Sequence, residues 1–317
     1  MKGRDLVAQL QRRHSPWGLL DMTLAGAEIS RLARDLENPD IAKHGLCQLV
    51  PIRVIACVEG CLKSATASLI NHGEPYLANA QRLFQQVKID FDVLRAVLDE
   101  SVSLGDIVAH SLTWHDLTEI NARMSALLGF DFFEKLATVK DRWAVEINRR
   151  PNEPIIVSLK EVLAGLSDAM RTRHILCHEV ASFEEISQDD AKRFARAGKQ
   201  FAGATSWLIS EVLHPNAPLT QSDMTEHAWR RAQAAEDQLN QVIAEFLKIL
   251  DTEDSEIFSR SHEHWRAFRD AHSQLEGHAA KGGSMSPQLR GLAFERVTRN
   301  RILEIRDTAG RMNIAEL

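Results

Sequence analysis

The sequence predicts an all-α protein built as two helical units, and three observations carry that expectation. Tyrosine occurs once in 317 residues, strict apolar/polar alternation is scarce, and the long periodic segments repeat their apolar residues at spacings of three and four. Hydrophobic residues make up 44% of the chain, enough for a sizeable core. A chain of this length divides into two domains more naturally than it forms one.

Each helix can be read in order. Pro51 opens an apolar run from Ile52 to Leu69 around Arg53, Glu59 and Lys63; proline suits a helix start because its missing N–H needs no partner there. The pattern predicts further helices over 77–98, 116–128 and 130–148, the last stopped before Pro151 and Pro154. From Ser158, the series Leu159, Val162, Leu163, Leu166 and Met170 marks another. Ser187 with Asp190 three residues on reads as a short-acid capping box. It starts a helix striped by Phe194, Phe201, Leu208 and Val212, whose Ala197, Gly198, Ala202 and Gly203 permit close packing. Pro215-Asn216-Ala217-Pro218 is the clearest boundary. The expected units are 1–214 and 219–317, the second with helices over 224–250, 253–278 and 289–311.

Bulk properties narrow the function. A net charge of -6 argues against a wholesale nucleic-acid coat, so any nucleic-acid contact must be a local patch. No run approaches the roughly 20 apolar residues of a membrane span. The start, Met1-Lys2-Gly3-Arg4-Asp5, leads into a charged amphipathic stretch rather than the apolar core of a signal peptide. Cys47, Cys57, Cys61 and Cys177 lack CxxC spacing, and Cys57 and Cys61 read as buried thiols. A reducing, cytoplasmic setting is expected.

The densest chemistry lies in Arg173-His174-Ile175-Leu176-Cys177-His178. Arginine grips phosphate oxygens with a bidentate fork, and histidine exchanges protons near neutrality. On a regular helix Arg173 and His178 stand about 140° apart, whereas Arg171, His174 and His178 share a face. Two routes would bring Arg173 and His178 to one phosphate: an irregular backbone, or half-sites lent by two chains of a dimer. The blander reading is a set of solvated residues near a helix end. His174 and His178 also have the i,i+4 spacing of a zinc pair, but no third ligand stands at a matching offset, and Glu179 is read as pointing away.

The R-x4-H pattern resembles the HEPN family, with His174 in the polar place that follows the arginine. The helix before it, the long helix after it, and an upstream apolar helix with an embedded acid, Glu59, fit that arrangement. The resemblance covers about residues 30–214. It implies an antiparallel helical bundle, a homodimeric composite site and metal-independent cleavage of RNA (tRNA or mRNA) without a cofactor. His178 would be the proton-transfer group, Arg173 the stabiliser of phosphoryl charge, and His174 an orienting or second proton-transfer group. Arg171 would bind substrate. Glu59 is read as a structural partner for an arginine rather than a catalytic acid. Many members are toxins, with a neutralising antitoxin protein as partner, or phage-defence effectors; others are inactive binding modules.

A second resemblance begins near Leu219. Ala234-Ala235-Glu236-Asp237-Gln238-Leu239-Asn240, then Trp265-Arg266-Ala267-Phe268-Arg269-Asp270, then Gly282-Gly283-Ser284 and a helix with Thr298, Arg299 and Arg301 resemble the LprI-type lysozyme-inhibitor family. Periplasmic members usually carry cysteines, one shortly after the R-D pair; this chain has Ala271-His272-Ser273 there and no cysteine beyond Cys177. Trp265, Phe268 and Leu275 are expected in the core between two antiparallel helices. Arg296, Arg299 and Arg301, in an arginine-rich last helix, are candidate contacts to an RNA backbone.

Overall fold

The computed structural model describes residues 5, 7, 8, 10, 11, 18–38, 46–84, 90–114, 116–178 and 186–312. Those residues form helices and turns with one isolated antiparallel bridge, Lys140 to Pro154, so the fold is all-α. The chain divides into two compact units, Met1–Pro215 and Asn216–Leu317. Among the described residues no helix is long and apolar enough to cross a membrane.

In the first unit the long helices are α1 (Gly18–Asp35) and α2 (Leu49–His72). Pro51 sits in the first turn of α2, where its lost N–H costs nothing. Val54, Ile55, Val58, Cys61, Leu62, Ala65 and Leu69 make α2 the buried centre of the bundle. Burial pushes the Cys61 thiol up to about 12, as expected of a packed, unreactive cysteine. With it in the bundle are α4 (Leu104–Ser111), α5 (Leu117–Leu128), α6 (Phe132–Leu136), α7 (Leu159–His178) and α8 (Gln188–Leu213), while α3 (Phe91–Leu98) buries Val93 and Ala96 in a smaller cluster with Leu10, Val102 and Ile107. Ser187 accepts a hydrogen bond from the Asp190 N–H and caps α8. The α8 stripe buries Phe194, Phe201 and Leu208, and Phe201 meets Phe132 edge-on at 6.1 Å. A Cβ on Gly198 would stand 2.5 Å from Val54 Cγ1, so α8 and α2 approach to a distance only glycine allows.

Two expected helices are broken. In place of one helix over 77–98 there are single turns at Tyr76–Asn79 and Gln81–Phe84, and α3 starts afresh. The Asn79 side chain is drawn off to the Leu127 carbonyl at 2.9 Å, and Asp90, in extended backbone, caps α3 by accepting from the Val93 N–H at 3.1 Å. Short polar side chains that bond the backbone favour caps over helix interiors. The expected 130–148 helix ends after α6; Thr138 and Val139 leave the helical path, the Ile155 N–H donates to the Val139 carbonyl at 2.9 Å, and a π-helical turn follows at Trp143–Ile147. Burial of Val139 and Ile156 on the core holds that extended crossing in place.

The second unit holds α9 (Gln221–Leu247), α10 (Thr252–Gly277) and α11 (Ser286–Arg311). Thr220 and Asp251 cap α9 and α10, and Pro287 lies in the first turn of α11. Leu239, Val242, Phe246, Ile302, Ile305 and Ala309 form its apolar cluster, with Trp265 and Phe258 packed against it. Phe268 and Leu275, expected inside, are 56% and 65% exposed. The buried side of α10 runs instead through Arg269, Ser273 and Gly277, a stripe whose i, i+4 steps place Phe268 and Leu275 on the opposite side.

Candidate functional site

The Arg-His segment closes α7, and the helix is regular through His178. An irregular backbone therefore does not bring Arg173 to His178. Val162, Leu166, Ala169 and Met170 turn one side of α7 to the core, Gly165 lies against Ala197, and Asp168 pairs with Arg193 of α8 at 2.6 Å. Arg173 continues that inner stripe, three and four residues beyond Met170 and Ala169. There its Nη1 meets Glu59 Oε1 of α2 at 3.4 Å, with the two side chains 35% and 18% exposed. Glu59 is thus the partner of the motif arginine. Its Oε1 is buried and accepts no hydrogen bond, so the pair is held by charge rather than by an aligned donor.

His174 and His178 occupy the outer face of α7. Both are exposed, and their ring centroids stand 4.8 Å apart with planes inclined at 48°. Arg171 shares that face, with Asp168 at 3.6 Å. An open cleft of about 770 Å³ is lined by Ser167, Met170, Arg171, Arg173, His174 and His178, and on its far side by Asp116, Leu117 and Thr118. Arg171, Arg173, His174 and His178 therefore meet one cleft within one chain, Arg173 from the inner flank and the other three from the outer face. Sequence reading missed the opposite wall. Asp116 caps α5 by accepting from the Glu119 N–H at 2.9 Å, a legible cap signal with nothing in it to tie α5 to α7. Glu179 lies outside the described residues. Among the described residues no three histidine, cysteine or carboxylate side chains are grouped to hold a metal.

The three candidate arginines of α11 each carry an ion pair. Arg296 bonds Glu276, and Arg299 bonds Glu295 at 2.8 Å beside Arg231 at 3.0 Å. Burial raises the Glu295 carboxyl's pKa, but the hydrogen bonds from Arg299 and Arg231 outweigh it and hold the group below its ordinary range. Arg301, only 15% exposed, turns toward α10, bonding Glu304 at 2.9 Å and lying 5.8 and 5.7 Å from the Phe258 and Trp265 rings. The structure does not bring Arg296, Arg299 and Arg301 onto one free cationic stripe.

The centre of the second unit is an ionic and aromatic knot that the sequence did not announce. Arg269, its side chain 4% exposed, bonds Glu236 of α9 and, at 3.1 Å, Asp270; its guanidinium lies 3.8 Å from the Phe294 ring and 5.0 Å from Trp265. His262 stacks between Phe258 and Trp265 at 6.0 and 5.1 Å. Burial, reinforced by Arg301, Arg266 and Arg269, lowers its imidazole to about 4.

The molecule is therefore an all-α protein with an arginine–histidine cleft in one unit and an ion-paired three-helix module in the other. The second unit is similar to the family described as Lysozyme inhibitor LprI, whose model matches residues 215–305. That match includes Glu236, Trp265 and Arg269, and it does not reach the cleft. No curated protein and no solved structure matches the chain.

Proposed function

We propose that the cleft between α7 and α5 is the site of a metal-independent endoribonuclease of HEPN type. One observation carries the reading: Arg171, Arg173, His174 and His178 line a single solvent-open cleft. His178 takes the proton of an RNA 2′-hydroxyl as its oxygen attacks the adjacent phosphorus. His174, whose ring is 4.8 Å away, gives a proton to the departing 5′-oxygen. Products are a 2′,3′-cyclic phosphate and a 5′-hydroxyl end, and the two imidazoles have exchanged protonation states. Arg171 and Arg173 stabilise charge on the non-bridging oxygens. In this reading the protein works in the cytoplasm as a homodimer on tRNA or mRNA. It acts as a growth-arresting toxin held by an antitoxin protein, or as a phage-defence effector, and the LprI-like unit recruits or regulates.

Incubating the protein with total RNA and with tRNA in EDTA, beside His178→Ala, tests the reading. Cyclic phosphate ends should form with the wild type alone; cleavage by the alanine protein at the wild-type rate would remove the assignment. A second reading, a non-enzymatic binding and dimerisation module with an LprI-like recognition unit, is favoured by the engagement of Arg173 with Glu59 and by the pairing of Arg296, Arg299 and Arg301. It predicts no cleavage by either protein.

A further inference from the structure

We propose that Glu59 is a latch on Arg173: its carboxylate holds the motif arginine on the inner flank of α7, and a phosphate group entering the cleft competes with Glu59 for that guanidinium. The inference rests on the reading that the cleft accepts a phosphate anion, and it adds a regulating residue to it.

Three features support it. Arg173 lines the cleft, yet its ion-pair partner lies behind it on α2. The contact is loose, 3.4 Å with Oε1 receiving no aligned hydrogen bond, so the donors of the planar fork are not locked to the carboxylate. Arg193 on the same bundle shows the alternative, a 2.6 Å hydrogen bond to Asp168. Glu59 is the more buried partner, so removing Arg173 from it leaves a carboxylate with less compensation. Occupation of the cleft therefore works against the Glu59 pair, and the acid sets how strongly an anion must bind to draw the arginine out. Glu59 is a positioning residue, not a catalytic one.

Calorimetric titration with inorganic phosphate and with a 2′-O-methylated tetranucleotide, which cannot be cleaved by 2′-hydroxyl attack, reads the latch without reading catalysis. Glu59→Gln should bind both about fivefold more tightly than wild type, the scale of a partly exposed ion pair. The gain should vanish when Arg173→Ala is added. Equal or weaker binding by a folded Glu59→Gln protein overturns the latch and leaves the cleft reading standing, whereas absence of binding by every protein, wild type included, overturns both. Should Glu59→Gln fail to fold, the wild type decides. The Arg173 Nε–H resonance, identified by its loss in Arg173→Lys, should move on phosphate titration with the same midpoint as the His174 and His178 ring signals. An unmoved arginine signal while those rings saturate overturns the latch.

Discussion

Arg173 in the first unit and Arg269 in the second are both helix residues facing a glutamate from another helix, yet their surroundings differ sharply. Arg269 is enclosed: Glu236 and Asp270 take its donors, and Phe294 and Trp265 cover its faces. A guanidinium placed so is committed to the fold, and removing it leaves the mostly buried Glu236 with only the longer, 3.7 Å pairing to the exposed Arg266. Arg173 is one-third exposed, meets Glu59 at 3.4 Å and borders an open cleft with two histidines. Whether an arginine serves architecture or chemistry is decided by how many of its donors and faces the fold has already used.

The largest effect should come from the cleft. Under the proposed ribonuclease reading, His178→Ala is expected to lower RNA cleavage by about 10²–10⁴-fold while the helical circular dichroism stays unchanged; a comparable loss of helix would make the residue structural and erase the contrast. In the second unit Arg269→Ala should destabilise the fold by about 3–5 kcal/mol, measured by urea unfolding of the whole chain, and the 215–305 helices should melt first in hydrogen exchange. Arg173→Ala should cost far less stability, and equal costs would break the comparison.

Acid separates the regions again. His262 is neutral in the fold, with its imidazole lowered to about 4 against an ordinary value near 6.5. Its stabilising effect is therefore complete above about pH 6.5 and is lost as pH falls through about 4. Hydrogen exchange of α10 should report that loss, and His262→Gln should flatten the profile over the same window. A slope unchanged by the substitution would place the acid sensitivity elsewhere.

Packing effects come next. Gly198→Ala drives a methyl against Val54, and about 1–3 kcal/mol of overpacking is expected, read as a lowered melting temperature. Least of all, Phe268→Ser and Leu275→Ser should change stability within about 0.5 kcal/mol, since both side chains are more than half exposed. A larger loss in either would show that the α10 outer face is covered in solution.

These contrasts bear on what was legible beforehand. Helical periodicity located α2, α7, α8 and the three helices of the second unit, and Ser187, Asp116 and Pro51 marked starts that hold. Periodicity failed where short polar side chains bond neighbouring backbone, as at Asn79 and Asp90, and where a buried extended crossing won, as at Val139. In the cleft, the face shared by Arg171, His174 and His178 followed from counting residues; the wall supplied by Asp116, Leu117 and Thr118 did not.

By itself the sequence determined the all-α class and the common face of three cleft residues, because spacing within one helix is a local property. Only the tertiary structure decided that Arg173 meets Glu59, that Arg269 rather than Phe268 lies inside, and that Arg296, Arg299 and Arg301 are already paired. Those outcomes depend on which side chains from distant helices arrive at the same point, and on how much water is left there when they do.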